Sequence, residues 1–191
     1  MITHATPPDV RQFRDTIGLF ATGVAVIVAR ADEEVLAMTA NAVTSVSLNP
    51  MLVMFCPGKR TKLAQAATRI EAFSINFLRH DQHALSTYFA GGWKEPQPPP
   101  FRFVPCRCGV RLEGALATID CVTASVQEAG DHWLVMGRVL DLHMGVPPHR
   151  PLLFFSGRYR NLDSAESAPA PDLANVHDEP AHVFYDRWER Q

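Results

Sequence analysis

A chain of 191 residues with 47% hydrophobic content holds one domain of ordinary size with a real core, and global disorder is excluded. Its 18 basic and 20 acidic residues give a formal charge of −2, so there is no electrostatic footprint for nucleic acid. No apolar run reaches the roughly 18 residues that span a bilayer. The N-terminal Met1-Ile-Thr-His-Ala-Thr-Pro-Pro-Asp9 lacks the basic and apolar regions of a signal peptide, and the cytoplasm is the expected compartment.

Thr6-Pro-Pro-Asp9 predicts a helix start with Thr6 as N-cap, followed by an apolar face of Val10, Phe13, Ile17 and Phe20. Gly23 ends it. Val24 to Ala29 is a β-branched run typical of a buried strand, and the charged turn Asp32-Glu-Glu34 pairs it with Val35 to Thr39 as a hairpin. Met38 to Pro50 then concentrates Thr39, Asn41, Thr44, Ser45 and Ser47 among small apolar residues, just before the apolar strand Met51 to Cys56. Such a hydroxyl run suits a backbone held against a phosphate or a heteroaromatic ring edge, and it equally suits a polar β-edge.

Pro57-Gly58 breaks the strand, and Lys59-Arg60-Thr61 opens a helix with Leu63, Ala66, Ala67 and Ile70 on its apolar face. Basic residues at a helix start oppose the dipole unless an anion shares that end; a solvated basic turn is the alternative. Ala72 to Leu78 is a strand with Asn76 in its apolar middle, which requires hydrogen bonds from the backbone or from a ligand. Asp81 is the expected cap of a helix carrying Ala84, Leu85, Tyr88 and Phe89; His80 and His83 straddle its start without a third metal ligand.

Gly91-Gly92 and Glu95-Pro-Gln-Pro-Pro-Pro100 form an irregular loop. Strands over about 115–128 and 133–143 make a hairpin around Gly130-Asp131, and Leu152 to Phe155 is a last short strand. Cys56 and Cys121 read as buried small hydrophobes. Cys106-Arg-Cys108 reads as a reduced pair without a metal, since neither a second pair nor a nearby His accompanies it in the sequence. The folded domain is expected over 1–162. Residues 163–191 are read as an Ala/Pro/acidic linker with an aromatic tail at His182 to Trp188. Many short strands with few helices point to a mainly β fold with peripheral helices, an antiparallel barrel closed or nearly so.

Taken together, Phe20-Ala-Thr-Gly-Val24, Met38-Thr-Ala-Asn41, Thr44-Ser-Val-Ser-Leu-Asn-Pro50, Phe73-Ser-Ile-Asn76, Gly130-Asp-His132 and Gly157-Arg-Tyr159 resemble the short-chain flavin reductase family over roughly residues 10 to 162. That resemblance implies a split β-barrel of the FMN-binding type, FMN or FAD as flavin, NADH (or NADPH) as donor, a homodimer, and service to a flavin-dependent monooxygenase. It implies that Thr39, Ala40 and Asn41 run beside the flavin and that the turn Ser45, Val46, Ser47 and Leu48 holds the ring edge. It places Lys59, Arg60 and Thr61 at the phosphate, Asn76 near the flavin, His132 at the nicotinamide as the catalytic-site residue, and Tyr159 nearby.

Lys94 to Cys108 and the tail follow no pattern of the family. Hydride transfer between cofactors needs orientation rather than a protein nucleophile, which agrees with a site of hydroxyls, one amide and one His. Two rivals share the barrel: a flavin-binding or storage protein without turnover, and a reductase of another acceptor such as a corrinoid or metal complex. No Arg pair announces a 2′-phosphate site, so NADH is preferred to NADPH.

Overall fold

The computed structural model describes residues 9–162; Thr6 and the 163–191 tail lie outside the described residues. The first helix, α1 (Val10–Ile17), is capped by Asp9 and not by Thr6. The Asp9 carboxylate accepts from Arg11 N at 2.7 Å and Gln12 N at 2.9 Å, and Gln12 reaches back to the Asp9 N–H as in a capping box. Val10, Phe13 and Ile17 do share a face, but among the described residues that face is left exposed: Phe13 is 62% exposed.

Seven strands form one antiparallel sheet: β2 (Ala25–Ala31), β3 (Glu34–Ala40), β4 (Val43–Leu48), β5 (Met51–Phe55), β6 (Ala72–Phe77), β9 (Ala117–Ala129) and β10 (His132–Met144). Their lateral order is β3-β2-β6-β9-β10-β5-β4. The strands at the two edges, β3 and β4, are consecutive in the chain and joined only by Asn41 and Ala42. Laid flat, six gaps would separate those edges by roughly 29 Å, whereas the connection spans at most roughly 11 Å. The sheet must therefore curl until its edges meet at Asn41-Ala42. No ladder joins β3 to β4 among the described residues, so the barrel remains split along that seam.

The barrel interior is filled by Ile27, Leu36, Phe55, Phe73, Ile75 and Val135 with their neighbours. A second cluster lies on the outer face of β2, where Val24, Val26 and Val28 meet Leu78, Leu85, Leu112 and Leu152. Burial on both faces explains why Val24 to Ala29 is continuously apolar and does not alternate. The outer cover comes from α3 (His83–Phe89) and from a hairpin of β7 (Phe103–Cys106) and β8 (Gly109–Leu112). A small sheet of β1 (Thr22–Gly23), β11 (Leu153–Phe155) and β12 (Arg158–Arg160) lies beside it. Glycine is required at 137, where a Cβ would stand 2.4 Å from Phe73 Cζ in the core.

Candidate active site

Met38 to Pro50 contains the split. Its first half ends β3, its middle is the Asn41-Ala42 link, and its second half is β4, the free edge strand. Ser45 to Leu48 thus form a strand and not a turn; the turn is Asn49-Pro50. Ser45 pairs with Val53 and Ser47 with Leu52, so Val46 is the extra residue of a β-bulge. A bulge on an edge strand frees backbone groups from the ladder and re-aims them outward. Ser45 and Ser47 hydroxyls have no side-chain hydrogen bond among the described residues, while Val46 and Leu48 are 46% and 49% exposed. Beside this seam is a cleft of about 790 Å³ whose lining includes Ile17, Phe20, Asn41, Thr44, Met54 and Phe154.

Thr39 and Tyr159 come together through a residue the sequence did not single out. The Thr39 hydroxyl donates to Ser86 O at 2.7 Å, and the Tyr159 hydroxyl lies 2.8 Å from Ser86 Oγ. Ser86 is fully buried in α3, so it fixes the end of β3 and the middle of β12 with one side chain and one carbonyl. Ala40 is buried, and Asn41 is exposed on the cleft.

The second group gathers at the far end of the β4–β5 hairpin. Phe55 lies opposite Val43, three residues or roughly 10 Å along the hairpin from Leu52, the partner of Ser47. The chain then turns through Pro57 to Thr61 and is bound to the tip of the β9–β10 hairpin. Lys59 N donates to Asp131 O at 2.9 Å and Trp133 N to Pro57 O at 3.0 Å. His132 therefore lies against this segment, close enough that a Cβ on Gly58 would stand 3.4 Å from its Nε2. Its Nδ1 is 2.7 Å from Asp131 Oδ1, which orients the ring and leaves Nε2 without a hydrogen bond among the described residues. That hydrogen bond, with the charges of His132 and Arg60, holds the Asp131 carboxyl below the usual carboxylate range.

Lys59 pairs with Glu128 and lies 5.4 Å from the Trp133 ring centroid. Arg60 is exposed and forms no ion pair among the described residues. The helix that follows, α2 (Lys62–Gln65), is a single turn, so the anion argument rests on the cationic side chains and owes little to a macrodipole. Thr61 caps it: the hydroxyl accepts from Ala64 N at 3.2 Å and donates to Gly58 O at 3.0 Å. Its position supports the loop, and its hydroxyl is already engaged.

The hydrogen bonds that Asn76 requires are supplied within the protein. The residue is 0% exposed, and its side chain is completely used inside the protein. Nδ2 donates to Val26 O and Ser74 Oγ, both at 2.9 Å, while Oδ1 accepts from Leu112 N at 2.9 Å and Thr118 Oγ1 at 3.1 Å. The hydrogen bonds demanded by burial come from protein partners, leaving nothing for a ligand. Asp81 is likewise not a helix cap: Arg79 binds it at 3.1 Å, and α3 begins after Gln82.

The residues so assembled match a known family. The chain matches the flavin reductase like domain over residues 17–163. It belongs to the flavin reductase-like family. The reductase subunit HsaB of a flavin-dependent monooxygenase from Mycobacterium tuberculosis is 37% identical over 166 residues, covering 85% of this chain and 87% of that protein. An NADH-dependent flavin reductase from a Rhodococcus species is 39% identical over 153 residues, covering 78% and 85%. The solved structure of the flavin reductase PheA2 superposes with a TM-score of 0.76 at 39% identity, covering 82% of this chain and 99% of that one. The split barrel expected from the sequence is thus the fold of this flavin reductase-like chain.

The unpaired Ser45 and Ser47 hydroxyls and the bulge of β4, the open cleft, and the exposed Arg60 form a donor set that fits a planar heteroaromatic ring with a phosphate at its far end.

Proposed function

We propose that this chain is an NADH:flavin oxidoreductase that delivers reduced FMN or FAD to a flavin-dependent monooxygenase. The observation that carries the reading is the free edge of β4. The Ser45 and Ser47 hydroxyls have no hydrogen bond among the described residues, the bulge at Val46 interrupts the ladder, and the hairpin leads from them to Lys59 and Arg60 beside His132. Bound flavin supplies the acceptor for hydride from the nicotinamide; the protein supplies grip and orientation.

In this reading Ser45, Val46, Ser47 and Leu48 hold the ring edge through hydroxyls and backbone. Thr39, Ala40 and Asn41 line the flank, and Arg60 with Lys59 attracts the phosphate. Thr61 shapes the loop, Asn76 keeps β6 in register behind it, and Tyr159 with Ser86 fixes the end of β3. His132, oriented by Asp131, meets the nicotinamide side with its free Nε2. A grip of small hydroxyls and one uncompensated cation suits a ligand that has to leave after each turnover. His132→Ala should raise the KM for NADH about 10-fold with an unchanged KM for flavin, equivalent to about 1.4 kcal/mol of nicotinamide binding. Steady-state NADH oxidation at varied NADH and flavin reads both constants. Equal changes in the two would remove His132 from the nicotinamide site.

The assembly we infer is a homodimer. Phe13, Ile17 and Phe20 at one end, and Val46, Leu48 and Met51 on the β4–β5 hairpin, expose large apolar side chains at or beside the split. Large apolar side chains exposed in this number mark an interface. Light scattering on the full chain should give twice 21.2 kDa at micromolar concentration; a monomer mass would refute it. No described helix is long and apolar enough to cross a membrane. All four cysteines are free, as a reducing cytoplasm keeps them.

A further inference from the structure

We propose that Cys106, Cys108, Asp120 and His143 form a binding site for a thiophilic divalent transition metal of the Zn²⁺ class, on the outer face of the barrel and separate from the flavin seam. The β7–β8 hairpin brings them together. Cys106 ends β7, Arg107 and Cys108 are its turn, and Cys106 lies opposite Gly109 in the register. Both thiols therefore emerge on one side of the turn, with Sγ atoms 3.1 Å apart. The Arg107 N–H donates to Asp120 Oδ2 at 3.0 Å, fastening the turn to β9. From β10, His143 Nε2 comes within 3.2 Å of the same Asp120 oxygen. Ligand atoms of Cys106, Cys108 and Asp120 lie within 4.8 Å of one another, as do those of Asp120, Asp141 and His143, with Asp120 common to both sets.

Asp120 is what requires an explanation. It is 0% exposed, and no Lys or Arg side chain pairs with it among the described residues. The Arg107 guanidinium turns away to Leu140 O. Oδ1 has no hydrogen-bond partner among the described residues. A buried carboxylate with an empty oxygen is costly unless a cation compensates it. The neighbours are two thiols and an imidazole, the soft and borderline donors that select zinc-like ions over Mg²⁺ or Ca²⁺.

Within each set the required movement is small, and closing the site brings His143 toward the thiols, because its ligand atom and both sulfurs do not all lie within 4.8 Å of one another. Two thiolates on tetrahedral zinc at about 2.3 Å stand roughly 3.8 Å apart, so the sulfurs need to separate by well under 1 Å. The imidazole and carboxylate are already at roughly the spacing of adjacent ligands. His143 is 31% exposed at the side chain and gives the ion an entry path. Binding exchanges two thiol protons to solvent for the metal, with no change of oxidation state. The bound ion would pin the β7–β8 cover onto β9 and β10.

The test uses the full chain, purified under reducing conditions and freed of metal. Co²⁺ titration should produce one equivalent of a tetrahedral spectrum with a thiolate charge-transfer band in the near ultraviolet. Zn²⁺ should displace it stoichiometrically and raise the melting temperature. Cys106→Ser with Cys108→Ser should lose the charge-transfer band and weaken Zn²⁺ more than about 100-fold, beyond what loss of an outer-shell partner costs; Cys56→Ser should retain both. His143→Ala, altered at a partly exposed position, should weaken Zn²⁺ while the fold persists by circular dichroism. Absence of a charge-transfer band in the parent chain overturns the proposal. So does a band unchanged in the double Ser variant. Stoichiometric disulfide formation with no metal uptake, read by thiol counting after mild oxidation, would replace it with a redox pair.

Discussion

Asn76→Leu should destabilise the protein by about 3–5 kcal/mol, enough to leave a marginal domain partly unfolded at ordinary growth temperature. Leucine is nearly the right size, so a cavity is not the cause. The loss comes from removing the amide partner of Val26 O, Leu112 N and Thr118 Oγ1, each buried and each bound now to Asn76, while Ser74 Oγ keeps only its bond to Val110 O. An unsatisfied buried donor or acceptor costs about 1–3 kcal/mol, and β8 would keep only the Ser74–Val110 side-chain bond of its two to β6. Urea unfolding followed by fluorescence of Trp133 and Trp93 measures the change. A variant with parental stability but weakened flavin binding would show instead that the amide serves the ligand.

Lys59→Ala combined with Arg60→Ala should raise the KM for FMN by about 10- to 100-fold, corresponding to about 1.4–2.7 kcal/mol. Arg60 should contribute more of this than Lys59, because Lys59 is shared with Glu128 and Trp133, whereas Arg60 has no ion pair among the described residues. Both sites are open to solvent, so the effect should shrink as salt rises. Riboflavin, lacking the phosphate, should be affected far less than FMN. An equal loss for FMN and riboflavin would move the phosphate elsewhere and leave Lys59-Arg60 as a solvated basic turn. Stability should barely change, since Glu128 remains largely in water when its partner is removed.

What the sequence made legible was what local pattern controls. The β2–β3 hairpin followed from Asp32-Glu-Glu34 between two apolar runs, and the β9–β10 hairpin from Gly130-Asp131. The hydroxyl run was legible as unusual, but its form as a bulged edge strand depends on which strand pairs with Met51 to Phe55, a tertiary fact. Asn76 could only be read as hydrogen-bonded; whether by ligand or protein depended on Leu112 and Thr118, some 40 residues away. Ser86 carried no signal, because its importance arises solely from Thr39 and Tyr159 meeting it. The β7–β8 hairpin was missed because Pro105 and the preceding Pro-rich loop mask its strand pattern. With it went the convergence of Cys106 and Cys108 on Asp120, which His143 also meets from β10, so that a His absent from the neighbourhood in sequence stands one residue away in space.

Anaerobic mixing of the full-length protein at catalytic concentration with NADH and excess FMN or FAD tests the central claim most directly. The visible absorbance of oxidised flavin should bleach with multiple turnovers, at a rate proportional to protein and saturable in both substrates, and the reduced flavin should pass through a filter that retains the protein. Bleaching no faster than NADH and flavin alone would contradict the account, as would reduction limited to one flavin per chain that never leaves it.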